Sequence, residues 1–460
     1  MTRLAAMVAV ALTAWPVRAA SAERPSFEPP DAARTFARPG GPVVVHYAVD
    51  GPDAVLPADL DATGVPDFVE EVADRGAEVL DALDELGFRR PVPDGAVGDN
   101  GGDERIDIYL RALGQADGEF RAESCTEVPH HCTGYLVMEN DFVGYPYATP
   151  SLGIRVLVSH EMFHAVQAAY DADQGIAWSE GTAVWAEERL YPEQDDFERL
   201  AAGFLAKPFR PFERTASGFG DAYPYGAGLW AHFLALRFGD DLIPEVWERC
   251  EQEGQDDPGF LDAIDDALAA RGSSLASAWI EFTRWNAETG AHAAPGRYPG
   301  AGQLPLALRE AALAAPGTAV LSIEGMSARY LPVAAGGGQV RITLEGAEIA
   351  ATVRAVGASV RRSDGAAVDA VATRHELIVE AGAREIEVIA TGVARGGLPR
   401  RVTVTVAVEM PPPPPPDPEP EPEPDSDDGG CAAGGGQAPG VMLASLWILW
   451  LARRGARRLR

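Results

Sequence analysis

Val158-Ser159-His160-Glu161-Met162-Phe163-His164-Ala165-Val166-Gln167 is the stretch on which the reading of this chain turns. Its apolar neighbours, Val156, Leu157, Val158, Met162, Phe163, Ala165, Val166 and Ala169, mark it as a largely buried helix. Residues i and i+4 of a helix share a face, so His160 and His164 can reach one ion. Neutral imidazole nitrogen is a ready ligand for Zn2+. Glu161, one position on from His160, is poorly placed to ligate the same ion. It can instead take a proton from a zinc-activated water, as a general base does. The bland alternative is a surface helix that happens to carry two histidines and a glutamate. The apolar surroundings weigh against it, because ionisable groups in a buried helix need partners or a metal.

A zinc site that works on substrate needs a third protein ligand and a fourth position left open. Trp178-Ser179-Glu180-Gly181-Thr182-Ala183-Val184-Trp185-Ala186-Glu187-Glu188 offers one. The first helix is expected to run on to Tyr170 or Asp171. The following loop to Trp178 spans at most about 26 Å when extended, long enough to bring a second helix back to the ion. Ser179 is expected as the N-cap of that helix, with Glu180 in its first turn. Alone, Glu180 would read as a first-turn acid favoured by the helix dipole. Paired with the upstream motif, it reads as the third ligand.

His160-Glu161-x-x-His164, then Glu180-Gly181-x-Ala183, then Glu187, resembles the gluzincin metallopeptidases. The wording is closest to the aminopeptidase-like branch, where a Trp-x-x-Glu-Gly-x-Ala segment supplies the third ligand. It is also similar to a group of myxobacterial metalloproteases. The resemblance covers roughly residues 40–290. It implies Zn2+, hydrolysis of peptide bonds in protein or peptide substrates, and a role for Glu187 in holding a ligating histidine through its other ring nitrogen. Tyr223-Pro224-Tyr225-Gly226 resembles the Tyr-x-Lys-Gly segment whose tyrosine steadies the oxyanion, with Tyr225 in the lysine place. Either Tyr223 or Tyr225 can be that donor, and two packing tyrosines are the alternative. Val137-Met138-Glu139-Asn140 resembles the Gly-Ala-Met-Glu-Asn strand whose glutamate grips a free N-terminus, which would make the protein an aminopeptidase. The strand at 134–138 is expected to line the cleft and accept substrate as an added strand.

Asp59-Leu60-Asp61-Ala62-Thr63-Gly64-Val65-Pro66-Asp67 alternates acids ahead of a glycine. Two readings stand side by side: a Ca2+ loop using Asp59, Asp61 and Asp67, or a loop capping the next helix. Asp99 to Asp103 reads as a turn.

Outward from these motifs, the pattern places strands at 43–49, 105–110 and 134–138 and a helix at 66–86. Helices then follow at 152–170, 179–191, 226–238, 240–251, 257–270 and 273–287. Strands first and helices after indicate an α+β domain, a mixed sheet followed by a helical lobe, over residues 23–290. Residues 291–317 form a connector rich in Ala, Gly and Pro. From 318 to 410 the period changes to two, which predicts an all-β sandwich. Residues 411–430 are a Pro/Glu spacer that cannot form a core.

Residues 1–22 read as a signal peptide: Arg3, an apolar run from Leu4 to Trp15, and a cut after Ala20-Ser21-Ala22. The end, 431–460, holds Cys431, an apolar segment from Val441 to Ala452 and an arginine cluster. It resembles the MYXO-CTERM sorting tails, which implies processing machinery acting near Cys431 and a final place at the cell envelope or surface. A plain membrane anchor is the alternative, and either reading links the tail to the envelope membrane and leaves the body exported. The net charge of −31 over 460 residues repels nucleic acid and anionic headgroups, so neither is an expected partner of the body. Of the four cysteines, Cys125 and Cys132 suit a local bridge in an exported protein, and Cys250 suits a buried thiol. The function class competing with a peptidase is a surface adhesin whose metal site is not catalytic.

Overall fold

The computed structural model describes residues 24–95, 103–114, 116–194, 197–214 and 220–409. The signal-peptide stretch, most of the 99–103 turn, the spacer and the sorting tail lie outside the described residues. The first strands form where β-branched residues run together. β1 (Ala33–Phe36) pairs antiparallel with β2 (Val43–Ala48). α1 (Asp67–Glu85) carries Asp67 and Glu70 in its first turn, where acids favour a helix start, and buries Phe68, Val69, Val72, Val79, Leu80 and Leu83. β3 (Ile106–Arg111), β4 (Gly118–Cys125) and β5 (Cys132–Glu139) complete a mixed sheet of order β1-β2-β3-β5-β4.

That order corrects one expectation. β5, the strand expected to receive substrate, is interior: it pairs in parallel with β3 and antiparallel with β4. From Leu136 to Glu139 its ladder is filled on both sides, so it is not an edge strand. The free edge near the motif helix belongs to β4, whose charged Glu119, Arg121 and Glu123 mask the alternation that strand prediction relies on. The expected Cys125–Cys132 disulfide is formed and joins directly opposed residues of β4 and β5.

Alternation sends Ile108, Leu136 and Met138 to the main core and Asp107, Tyr109 and Tyr135 to the opposite face. There the guanidinium of Arg24 binds three carboxylates: Glu123 through two bonds of 2.8 and 2.7 Å, Asp107 at 2.5 Å, and Asp94. All three acids are buried. Arg24→Ala would strand them, and breaking a buried pair by removing one partner costs about 3–5 kcal/mol. Urea unfolding of the variant should show that loss. A change below about 1 kcal/mol, the range of surface pairs, would mean the cluster is effectively solvated.

The helices follow. α2 (Pro150–Gln167) starts on Thr149, whose hydroxyl accepts from the Leu152 amide, with proline at its first position. α3 (Ile176–Leu190) begins ahead of expectation, after Gly175. Ser179 is therefore not its N-cap but lies inside it, because Ala177 and Trp178 are buried and extend the helix backwards. α4 (Phe197–Leu205), not foreseen, is followed by the single turn α5 (Tyr223–Gly226) and by α6 (Gly228–Phe238), α7 (Leu242–Cys250), α8 (Phe260–Ala270) and α9 (Leu275–Ala287). Cys250 is a buried free thiol, as expected. Phe212, Trp230, Phe233, Trp279 and Phe282 pack ring to ring at the centre of this lobe. Among the described residues, no helix is long and apolar enough to cross a membrane.

The C-terminal strands are β6 (Leu313–Ala314), β7 (Gly317–Ile323), β8 (Ala328–Ala334), β9 (Gln339–Val356), β10 (Val360–Arg362), β11 (Val371–Val379), β12 (Glu385–Thr391) and β13 (Arg400–Glu409). The long β9 holds them together. Its first part lies between β11 and β13, and its last part pairs with β12. Gly346 sits where β9 parts from β13. It has φ +134°, and a Cβ there would lie 2.3 Å from the Arg401 carbonyl oxygen, so only glycine fits. These strands enclose their own apolar cluster, including Leu331, Ile342, Leu344, Val388 and Val404. They also lend Met326, Tyr330 and Ile389 to the core of the helical lobe. Tyr330 donates to the Thr283 carbonyl at 3.0 Å, and the Phe212 amide donates to Met326 at 2.9 Å. All described residues belong to one compact unit.

Candidate metal centre

α2 and α3 pack side by side and bring the motif residues together. His160 Nε2 lies 3.2 Å from Glu180 Oε2, and His164 Nε2 lies 3.6 Å from the same oxygen. One ligand atom from each of the three residues falls within 4.8 Å of the others. Zinc bonds of about 2.0–2.2 Å in a tetrahedron put ligand atoms about 3.4 Å apart. The two observed separations bracket that spacing, so the donor set fits a zinc ion with one position left open.

The far side of each ring is also held. His160 Nδ1 is 2.5 Å from Glu187 Oε1, and His164 Nδ1 is 2.8 Å from Gln167 Oε1. Both partners accept, so both Nδ1 atoms can carry the proton and both Nε2 lone pairs can face the centre. Burial works against charge on His160, yet Glu180 and Glu187 outweigh it and hold its pKa well above the ordinary value. Burial likewise opposes charge on His164, and Glu180 overrides it. Burial would raise Glu180, but hydrogen bonds from the two histidines bring it down to about 2.

Glu161 is buried and stands apart from this triad. Burial pushes its pKa up to about 7, against the pull of His160 and His164. The start of β4 passes against it: a Cβ on Gly118 would lie 3.0 Å from Glu161 Cγ and 2.7 Å from Leu157 Cδ1. A cavity opens beside it, lined by His160, Glu161, Glu187, Tyr225, Val156 and Leu157 together with Asp117, Tyr147, Arg199, Leu200, Asp221 and Ala222.

The two tyrosines part company. The Tyr225 ring stacks near His160, with centroids 6.0 Å apart, and its buried hydroxyl has no protein partner among the described residues. Tyr223 is no donor to this site, contrary to expectation. Its hydroxyl donates to the Arg210 carbonyl at 3.0 Å, and its ring lies against Phe204. Residues i and i+2 of one helical turn point different ways, so only one of the pair can face the ion. Glu139 is buried and accepts from the Leu113 amide at 2.8 Å and the Tyr145 hydroxyl at 2.9 Å, and it does not line the cavity.

Asp59, Asp61 and Asp67 also gather, with one oxygen of each within 4.8 Å of the others. The Thr63 and Gly64 amides point at Asp59 and the Leu60 amide at Asp67, as in a loop that caps α1. Gln167, Asp117 and Gly118 are site residues that sequence reasoning missed. Gln167, three residues after His164 on the same helix face, carried a usable signal. The other two sit at the start of β4 and were lost with that strand. No model of a known protein family matches the chain, and no curated protein matches it in sequence.

Proposed function

We propose that the chain is a zinc-dependent metallopeptidase of gluzincin type. The observation that carries this reading is the convergence of His160 Nε2, His164 Nε2 and Glu180 Oε2, with buried Glu161 beside them at the wall of a cavity. His160, His164 and Glu180 would hold the ion. When bound, zinc lowers the pKa of water and polarises a carbonyl. Glu161 takes the proton of the attacking water and returns it to the leaving amine. Tyr225 aims its uncommitted hydroxyl at the oxyanion. The free edge of β4 offers main-chain hydrogen bonds to a peptide laid alongside it, beginning at Gly118 next to Glu161. Protein or peptide chains are therefore the substrates.

The same reading takes the part up to residue 290 as a gluzincin-like fold and the strands after 313 as a sandwich bent around β9. The disulfide supports an oxidising, exported location. Placement at the cell envelope through the tail, and Ca2+ at Asp59, Asp61 and Asp67, are further parts of the proposal.

The test is metal analysis of the purified protein together with cleavage of an unstructured protein, with and without chelator. One zinc per chain and chelator-sensitive cleavage are expected. Bound zinc without cleavage of any peptide in a broad library would instead favour a surface adhesin. Tyr225→Phe should lower kcat by about 10²–10³-fold with zinc content unchanged, the loss typical of one oxyanion donor. Tyr223→Phe should leave kcat where it is. Steady-state kinetics on both variants distinguishes the two tyrosines, and the reverse ranking would overturn the assignment.

A further inference from the structure

We infer that Gln167 is a positioning residue that sets the tautomer of His164 and fixes the turn of α3 carrying Glu180, an inference that rests on the metallopeptidase reading for the identity of the ion. Gln167 closes α2 and is only 4% exposed. All of its polar atoms are used. Nε2 donates to the Ser179 carbonyl at 2.8 Å and to Thr182 Oγ1 at 3.0 Å. Oε1 lies 2.8 Å from His164 Nδ1 and accepts from Ser179 Oγ at 3.0 Å.

This pattern leaves no freedom in the amide. A backbone carbonyl can only accept, so the nitrogen must face Ser179. Thr182 spends its own proton on the Trp178 carbonyl at 2.7 Å, so it too offers only lone pairs to Gln167. Oε1 must therefore face His164. An amide oxygen carries no hydrogen, so the proton of that contact sits on His164 Nδ1. A neutral imidazole protonated at Nδ1 has its lone pair at Nε2, the atom that faces Glu180.

Gln167 thus does at His164 what Glu187 does at His160, but without charge. The difference has a reason: the buried site already holds Glu161, Glu180 and Glu187, and a fourth carboxylate would add repulsion where water cannot relieve it. The other partners of Gln167 flank the third ligand. Ser179 precedes Glu180 and Thr182 follows it by two, so one amide orients a ligand on α2 and the backbone around a ligand on α3.

The experiment compares zinc affinity of the wild type, Gln167→Leu and Gln167→Glu by competition with a chromophoric chelator, on protein shown to be folded by circular dichroism. Gln167→Leu keeps the bulk and removes every hydrogen bond. Its zinc affinity should fall about 10–100-fold, the usual cost of losing an outer partner of a ligating histidine. Gln167→Glu keeps an acceptor for Nδ1–H but loses the donors to Ser179 and Thr182 and adds a fourth buried carboxylate, so it should recover only part of that loss. A residue that only packs would lower stability in both variants and leave the affinity of the folded protein unchanged, and that result overturns the inference. Nitrogen-15 NMR of the zinc-loaded wild type supplies a readout independent of any variant: a proton on His164 Nδ1 supports the assignment and one on Nε2 refutes it. A wild type that takes up no zinc overturns the metallopeptidase reading and this inference together, whereas a zinc-binding wild type with an unaffected Gln167→Leu overturns this one alone.

Discussion

Glu161→Gln is expected to retain zinc and lose hydrolysis, with kcat down by about 10²–10⁴-fold, the range assigned to a positioned general base. The substitution is nearly isosteric, and Glu161 is not among the three residues whose ligand atoms converge, so the ion's cage stays whole. What disappears is the ionisable oxygen beside the cavity. The pH profile carries a second signature. Glu161 can take a proton only when ionised, so the rate should rise with pH through its pKa. Burial sets that value at about 7 in the metal-free protein. A bound cation favours the carboxylate, so the acid limb of the loaded enzyme should fall below 7. The residual activity of Glu161→Gln should lack this limb. Zinc content with kcat/KM against pH checks both statements. Wild-type activity in the variant would remove Glu161 from the mechanism.

Helical spacing made α1 legible, because Val69, Val72, Leu80 and Leu83 repeat on one face, whereas α2 showed itself by apolar residues on every side of the motif. Strands dense in β-branched residues, such as Val43–Ala48, were equally plain. β4 was not, since an edge strand alternates buried residues with charges that a linear reading takes for loop. Sheet order was also beyond reach: nothing in the composition of β5 says that both its neighbours are strands, and that fact moves the open edge to β4. α4 is short, although Phe197, Leu200, Ala201, Phe204 and Leu205 keep helical spacing.

The site divides along the same line. Residues fixed by helical geometry, His160 and His164, could be placed from spacing alone. Glu180 depended on a loop returning a second helix, and the loop length allowed it without requiring it. The choice between Tyr223 and Tyr225 depended on side-chain direction in a single turn, which only the packing of Phe204 and Arg210 decides. Ser179 had the chemistry of a cap but was drawn inside α3 by the burial of Trp178. There it became the partner of Gln167 instead.

Glu180→Ala should weaken zinc binding by more than the roughly 10–100-fold expected for Glu187→Gln, which removes only an outer partner. In the proposed site Glu180 serves both as a ligand and as the group that lets the histidines hold protons before metal arrives. Burial alone would keep both imidazoles neutral, and the hydrogen bonds they donate to Glu180 are the largest opposing effect on each. Their raised pKa values favour protons in the metal-free site, and zinc must displace them to bind. The sign follows directly: as pH falls, protonation grows and zinc affinity drops. With both rings protonated, the drop is up to about hundredfold per pH unit. Without Glu180 the pKa of both histidines falls, although Glu187 still supports the charge on His160, and zinc uptake near neutral pH should release fewer protons. Calorimetry in buffers of different ionisation heat counts those protons in wild type and variant. An unchanged proton count with unchanged affinity would mean that Glu180 neither ligates zinc nor sets the charge of the pair.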